Sequence, residues 1–245
     1  MNNHGVQTRR TDYGALLGDQ EFFVTPLLKK SIDEVLGCIG KPPSGAKVLD
    51  IGAGECPLRG KLEALGYAYS SLDIEQNATE TIDYLARIDC DLPESLALLR
   101  GFDLLILTEV LEHVADWSKA FDNLSKMLKS GGYCLITTPF FYMLHEEPYD
   151  FWRPTDHAIK YYVESNGLEV VKCKRNGDGW DVLGTLLCST SLCRQEKRIW
   201  NFLPLIPAKI ILKIAQIFFK SRIFQKNIDF QMRFYVGNLF LIKKP

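Results

Sequence analysis

Short apolar runs alternate with stretches of helical period along most of this chain. Lys47–Ile51, Tyr69–Ile74, Phe102–Leu107, Tyr133–Thr138 and Leu168–Cys173 read as strands. Phe102–Leu107 is nearly all apolar, which suits a parallel strand covered on both faces. A helix is predicted over Glu21–Ile39, where Phe22, Phe23, Leu27, Leu28, Ile32, Val35 and Leu36 recur on one face before Gly40 and a Pro-rich breaker. Another spans Pro57–Leu65, with Pro57 in its first turn and Gly66 just past its end. Trp117–Leu128 stops ahead of Gly131-Gly132, and Thr155 caps a helix from Asp156 to about Glu164 that Gly167 closes. This alternation predicts an α/β fold with a doubly wound, mostly parallel sheet. Residues 178–231 break the rhythm and read as a helical insertion before a terminal strand at Phe234–Ile242. The chain is read as one domain over 1–245: a polar arm and helix to residue 40, a core at 46–176, the insertion, and the strand at 234–243.

Composition narrows the classes. With 245 residues, 47% apolar and 24% charged, the chain has ample material for a core, which excludes global disorder. Lys plus Arg is 29 and Asp plus Glu is 30, a net charge of 29 − 30 = −1. That balance lacks the basic excess of a nucleic-acid binder. Seven cysteines without a C-x-x-C pair or zinc-type spacing give no expectation of a metal and fit a reducing, cytoplasmic setting. No signal-type apolar run follows Arg9 and Arg10. Val182–Cys193 and Ile199–Ala208 offer only 12 and 10 uncharged residues, against the ~20 that span a bilayer.

The chemistry concentrates at strand ends. Val48-Leu49-Asp50-Ile51-Gly52-Ala53-Gly54-Glu55-Cys56-Pro57 is a strand, a tight glycine turn and a helix start. Glycine there lets the backbone turn sharply and a ligand approach closely, while the helix N-terminus offers unpaired N–H groups. Two readings compete. A dinucleotide fingerprint needs Gly or Ala where this chain has Pro57, which disfavours a nicotinamide dehydrogenase. The second strand ends in Asp73, 19 residues after Gly54, a carboxylate suited to a ribose diol. Ile88-Asp89-Cys90-Asp91-Leu92-Pro93 follows, and then Phe102-Asp103-Leu104-Leu105-Ile106-Leu107-Thr108-Glu109-Val110-Leu111-Glu112-His113-Val114.

These four stretches, in this order, resemble the motifs of class I S-adenosylmethionine-dependent methyltransferases with a type 11-like domain. The last resembles that family's fourth strand and turn almost residue for residue. The resemblance implies a Rossmann-like methyltransferase fold with a seven-stranded sheet, and S-adenosyl-L-methionine as cofactor. Asp50, Gly52, Ala53 and Gly54 would form its turn, Asp73 and Ile74 its ribose site, Asp89 and Cys90 its adenine contact, and Thr108 and Glu109 the end of the fourth strand. His113 is a candidate catalytic base or a helix-packing residue.

After Thr138 comes a loop dense in rings, His and charge, PFFYMLHEEPYDFWRPT. It can build an amphipathic acceptor pocket. Its H-x-x-P-Y-D-x-W-R core resembles a methyltransferase subgroup often associated with cell-envelope polysaccharide synthesis. Methyl transfer to a hydroxyl needs alignment and then a base, and His145 is the candidate, unless it only fixes the loop through Glu146 or Asp150. Tyr149, Asp150, Trp152 and Arg153 are candidate substrate contacts, with Asp150–Arg153 equally readable as a clamp.

In Ala208–Phe224, Lys209, Lys213, Gln216 and Lys220 form one polar stripe on an otherwise apolar helix. With Trp200, Phe202 and Leu203 before it, 199–224 suits peripheral contact with the inner membrane face, packing over the sheet with lysines in water, or dimerisation. The expected acceptor is a small molecule, a glycan or a lipid-linked envelope intermediate, methylated at oxygen. The alternatives are a quinone or lipid-phenol methyltransferase and a non-catalytic cofactor-binding partner.

Overall fold

The computed structural model describes residues 12–16, 19, 21–94, 101–189, 205–221 and 234–245. Expectations for residues 1–11, 190–204 and 222–233, Trp200, Phe202 and Leu203 among them, lie outside the described residues. In chain order the elements are α1 (Thr25–Ile39), β1 (Lys47–Ile51), α2 (Arg59–Leu65), β2 (Ala68–Asp73), β3 (Tyr84–Leu85), β4 (Phe102–Thr108), a 3-10 turn (Leu111–His113), α3 (Trp117–Met127), β5 (Leu128–Pro139), α4 (Asp156–Ser165), β6 (Glu169–Asn176), α5 (Gly179–Cys188), α6 (Leu205–Lys220) and β7 (Gly237–Lys243).

Seven strands form one sheet in the order β3-β2-β1-β4-β5-β7-β6. Pairings from β3 through β5 are parallel, and β7 runs antiparallel between β5 and β6. This is the doubly wound, mostly parallel α/β fold that the alternation predicts. The winding reverses between β1 and β4, and in open α/β sheets ligands bind outside the carboxyl ends of the strands at such a point.

The apolar run of β4 is explained by burial on both faces. Leu104 and Ile106 pack with Val48, Leu62 of α2, and Leu28, Ile32 and Val35 of α1. Leu105 and Leu107 turn the other way, onto Leu49, Phe121 and Leu124 of α3 and Ile159 of α4. Successive side chains of a strand point to opposite faces, so each neighbour serves a different layer.

Several boundaries differ from the sequence reading. The first helix starts at Thr25, because Glu21–Val24 form a separate turn ahead of Pro26. β5 begins at Leu128 directly after α3, and the two-residue β3 gives no periodic signal. β7 starts at Gly237, where pairing with Pro139 begins. The largest difference is at α6. Gln216 of the expected water-facing stripe is buried and donates to Cys188 Sγ at 3.1 Å. Lys220 Nζ lies 4.7 Å from the Phe23 ring centre. Ile210, Ile211, Ile214 and Ile217 are instead 53–64% exposed, so the helix shows an apolar face outward. Its inward contacts, Phe219 on Trp180 and Gln216 on Cys188, join it to α5 and set that rotation. Among the described residues, no helix is long and apolar enough to cross a membrane.

Candidate active site

The glycine turn sits at the carboxyl ends of β1 and β2. Gly52 (φ 68°) and Ala53 donate their N–H groups to Leu72 O, at 2.8 and 3.2 Å. Gly54 (φ 54°) donates to Asp73 Oδ2 at 2.8 Å, and Ile74 N donates to Asp73 Oδ1 at 2.6 Å. One carboxylate thus fixes both the turn and its own strand end. A Cβ on Gly52 would strike Val110 Cγ2 at 2.5 Å, whereas a Cβ on Gly54 would meet nothing within 4 Å. The second glycine therefore faces open space, a cradle that a side chain would begin to fill. Ile74, next to Asp73, is 64% exposed, and Leu85, which pairs with Asp73 from β3, is also exposed. Two apolar side chains beside a ribose-type carboxylate suit a planar ring. The turn fits an adenosyl group.

Asp50 is placed differently. It is buried under the turn and accepts a hydrogen bond from Tyr69 Oη at 2.8 Å. Burial, reinforced by Asp73, lifts its carboxyl to about 7 in spite of that bond. Asp50 braces the floor of the site rather than lining it. Asn77, buried behind the turn, donates to Gly54 O at 2.9 Å. Neither Tyr69 nor Asn77 is singled out by the motifs.

Past β3, the Asp89 carboxylate accepts from Arg87 Nε and Nη2, each at 3.0 Å. Burial opposes its ionisation, but Arg87 holds it below the ordinary carboxylate range. Asn123 Nδ2 pins the backbone carbonyls of Ile88 and Cys90 at 2.7 and 2.8 Å. Cys90 itself is exposed. At the end of β4, Thr108 Oγ1 lies 3.4 Å from Tyr13 Oη. Glu109 follows in the left-handed region (φ 57°), held by its N–H to Thr137 O and Thr137 Oγ1, both at 3.1 Å. A non-glycine residue at positive φ in such a place marks backbone held by its surroundings for a purpose. Glu109 borders a narrow cleft, its enclosed volume about 20 Å³, lined also by Val24, Leu27, Pro139, Tyr142, Asn176 and Asn238.

The loop after β5 folds back onto the 3-10 turn. Phe151 and Trp152 donate their N–H groups to Glu112 O at 2.8 and 3.2 Å, and Trp152 Nε1 donates to Val114 O at 2.9 Å. Within the loop, Arg153 donates to both Asp150 oxygens, at 2.5 and 2.6 Å, and to Met143 O at 2.9 Å. Asp150 also accepts from His145 N at 2.9 Å. Asp150 and Arg153, candidate substrate contacts in the sequence, are therefore the clamp that shapes the loop. Tyr149 and Trp152 are about half exposed.

That clamp delivers His145 to His113. Their Nε2 atoms lie 3.1 Å apart, with rings edge to face. His145 Nδ1 lies 3.3 Å from Asp150 Oδ2, and His113 Nδ1 lies 3.0 Å from Tyr149 O. Burial first, and His113 second, hold the His145 imidazole below its ordinary value. Tyr142, from the cleft wall, packs edge-on against His145. Under the pair lies Glu112, fully buried, with neither carboxylate oxygen hydrogen-bonded. Burial, then the charge of Glu109, raises its carboxyl well above the ordinary range.

Comparison with known proteins agrees with this fold. The structure resembles an Archaeoglobus fulgidus SAM-dependent methyltransferase (TM-score 0.54, 14% identity, 89% of this chain and 94% of that one). It also resembles a putative sarcosine dimethylglycine methyltransferase from Galdieria sulphuraria (TM-score 0.55, 14% identity, 96% and 94% covered). At such identities the likeness is one of fold. In sequence, the chain is 32% identical over 111 residues to a ubiquinone biosynthesis O-methyltransferase of Caulobacter vibrioides, covering 42% of this chain and 44% of that protein. It is 31% identical to the mitochondrial counterpart from Bos taurus, covering 40% and 30%. The chain thus spans less than half the length of these curated relatives. A methyltransferase-domain family model matches residues 23–172, more than half of the sequence. The chain belongs to the methyltransferase-domain family.

Proposed function

We propose that this protein transfers the methyl group of S-adenosylmethionine to a hydroxyl oxygen of a glycan or lipid-linked envelope acceptor. The observation that carries the donor assignment is the Asp73 carboxylate bonded to Gly54 N–H beside open space over the second glycine. The sulfonium supplies an activated methyl group and a neutral thioether leaving group. The chain supplies the rest. Asp73 and the glycine turn would hold the ribose side, and Ile74 and Leu85 the ring. The acceptor would enter at the cleft by Glu109 and Tyr142, with Tyr149 and Trp152 as exposed rings to receive it. The His113–His145 pair would take the proton of the acceptor hydroxyl as that oxygen gains the methyl group. There Asp150 backs His145 as the third member orients a base in nucleophilic sites.

A quinone or lipid phenol is the second reading, favoured by the ubiquinone O-methyltransferase relatives. A lipid-linked intermediate or a quinone would fit the outward apolar face of α6 and the exposed Lys209 and Lys213 on the same helix.

Calorimetry with S-adenosylhomocysteine tests the donor site. Binding is expected, and Asp73→Ala should weaken it by about tenfold or more, as for loss of a charge-assisted hydrogen bond. Heat with NAD and none with S-adenosylhomocysteine overturns the reading. Labelled-methyl transfer into envelope glycan and quinone fractions then separates the acceptors.

A further inference from the structure

Glu112, His113 and His145 each offer one ligand-type atom, and the three atoms lie within 4.8 Å of one another. The hydrogen bonds around the rings determine what those atoms offer. His113 Nδ1 faces Tyr149 O, which can only accept. His145 Nδ1 faces Met143 O and Asp150 Oδ2, both acceptors at 3.3 Å. Arg153 Nη2 is also 3.5 Å from that nitrogen, but it is already bonded to Asp150 and Met143. Each Nδ1 therefore carries the hydrogen, and each Nε2 presents a lone pair. The two Nε2 atoms lie 3.1 Å apart. Unrelieved, that arrangement is repulsive, and a cation between them removes the repulsion.

The buried carboxylate points the same way. Glu112 Oε1 lies 3.9 Å from His113 Nε2, and both its oxygens are sealed from water without a hydrogen bond. A buried carboxylate in that condition is costly unless a cation meets it. Glu146 Oε2, half exposed, also lies 3.9 Å from His113 Nε2. Two ligands bound to one zinc-like ion at about 2.1 Å stand roughly 3.0–3.4 Å apart. The imidazole spacing falls in that range. The outer partners, Asp150 and two backbone carbonyls, are those that orient metal-binding imidazoles.

We propose that Glu112, His113 and His145 form a site for one divalent transition-metal ion. Two imidazoles and one carboxylate favour zinc, cobalt, iron or manganese over magnesium or calcium. The ion would join the β4 turn to the acceptor loop. On the methyl-transfer reading above, it would also lower the pKa of an acceptor hydroxyl bound to it, with His145 then a ligand instead of a base. The metal site itself does not depend on that reading.

The test uses the full chain stripped with chelator and titrated with cobalt(II) alone, followed by visible absorption, with zinc as competitor and elemental analysis of the dialysed protein. One equivalent per chain is expected, with d–d bands that zinc abolishes. His145→Ala and Glu112→Gln should each weaken binding more than 100-fold, and Asp150→Asn by about 10–100-fold. His157→Ala, on an exposed histidine, should bind as the parent does. Circular dichroism checks folding, and His145→Ala on the surface loop carries the test where Glu112→Gln does not fold. Cobalt uptake no greater than in a His113→Ala/His145→Ala double variant overturns the site, as does unchanged affinity in the single variants. Because metal binding is read directly, S-adenosylhomocysteine binding without cobalt uptake refutes the metal site and leaves the donor assignment intact.

Discussion

Gly52 and Gly54 share a backbone region but answer to different constraints. A methyl group on Gly52 collides with Val110, so Gly52→Ala combines left-handed strain of about 1–2 kcal/mol with overpacking of a similar size. Gly54→Ala carries only the backbone strain, yet its methyl enters the open cradle. Thermal melts should therefore show the larger loss for Gly52→Ala, and calorimetry should show S-adenosylhomocysteine binding lost in Gly54→Ala while most stability is kept. Asp50 is a pH-dependent weakness. Its folded pKa, about 7, lies above the unfolded value of about 4. Between these values the folded state keeps a proton that the unfolded state has released, so stability falls as pH rises from about 4 to 7. The full penalty, on the order of 4 kcal/mol, applies above pH 7. Asp50→Asn, which can still accept from Tyr69, should flatten this slope. Denaturant melts from pH 5 to 8 measure it, and an unchanged slope contradicts the assignment.

Elements differ in how much of their role the amino-acid order reveals. α5 is opened by a reciprocal cap: Asp178 accepts from Trp180 N and Asp181 N, and the Asp181 side chain accepts from Asp178 N. Asp178→Ala should cost about 1 kcal/mol and lower Tm by roughly 2–4 °C. β1, β2 and β4 are legible because parallel strands buried on both faces become unbroken apolar runs, and their carboxyl ends carry the motif residues with them. α6 is not legible in the same way. Its lysine stripe suggests a solvent side, but Gln216 within the stripe finds Cys188, a partner 28 positions away that periodicity cannot see. The His113–His145 meeting is hidden for the same reason. It depends on the loop between them being bent back by Asp150 and Arg153. Glu112 looks like one more charged residue of a helical turn, and only the packed structure shows it buried.

For the whole molecule, the outward face of α6 predicts surface behaviour. Ile211→Glu/Ile214→Glu should reduce co-sedimentation with anionic vesicles several-fold while leaving Tm nearly unchanged, since both side chains are more than 60% exposed. Sedimentation equal to the parent removes α6 from any lipid contact. The sheet order has a consequence for biogenesis. Among the described residues, β6 pairs only with β7, and β7 supplies the second neighbour of β5. On the ribosome, residues 47–176 emerge well before 237–243, so the outer margin of β5 waits with its hydrogen-bonding groups unsatisfied. An exposed margin of that kind recruits foreign strands. Stalled nascent chains lacking 237–243 should therefore engage chaperones, and a separate peptide of that sequence should release them.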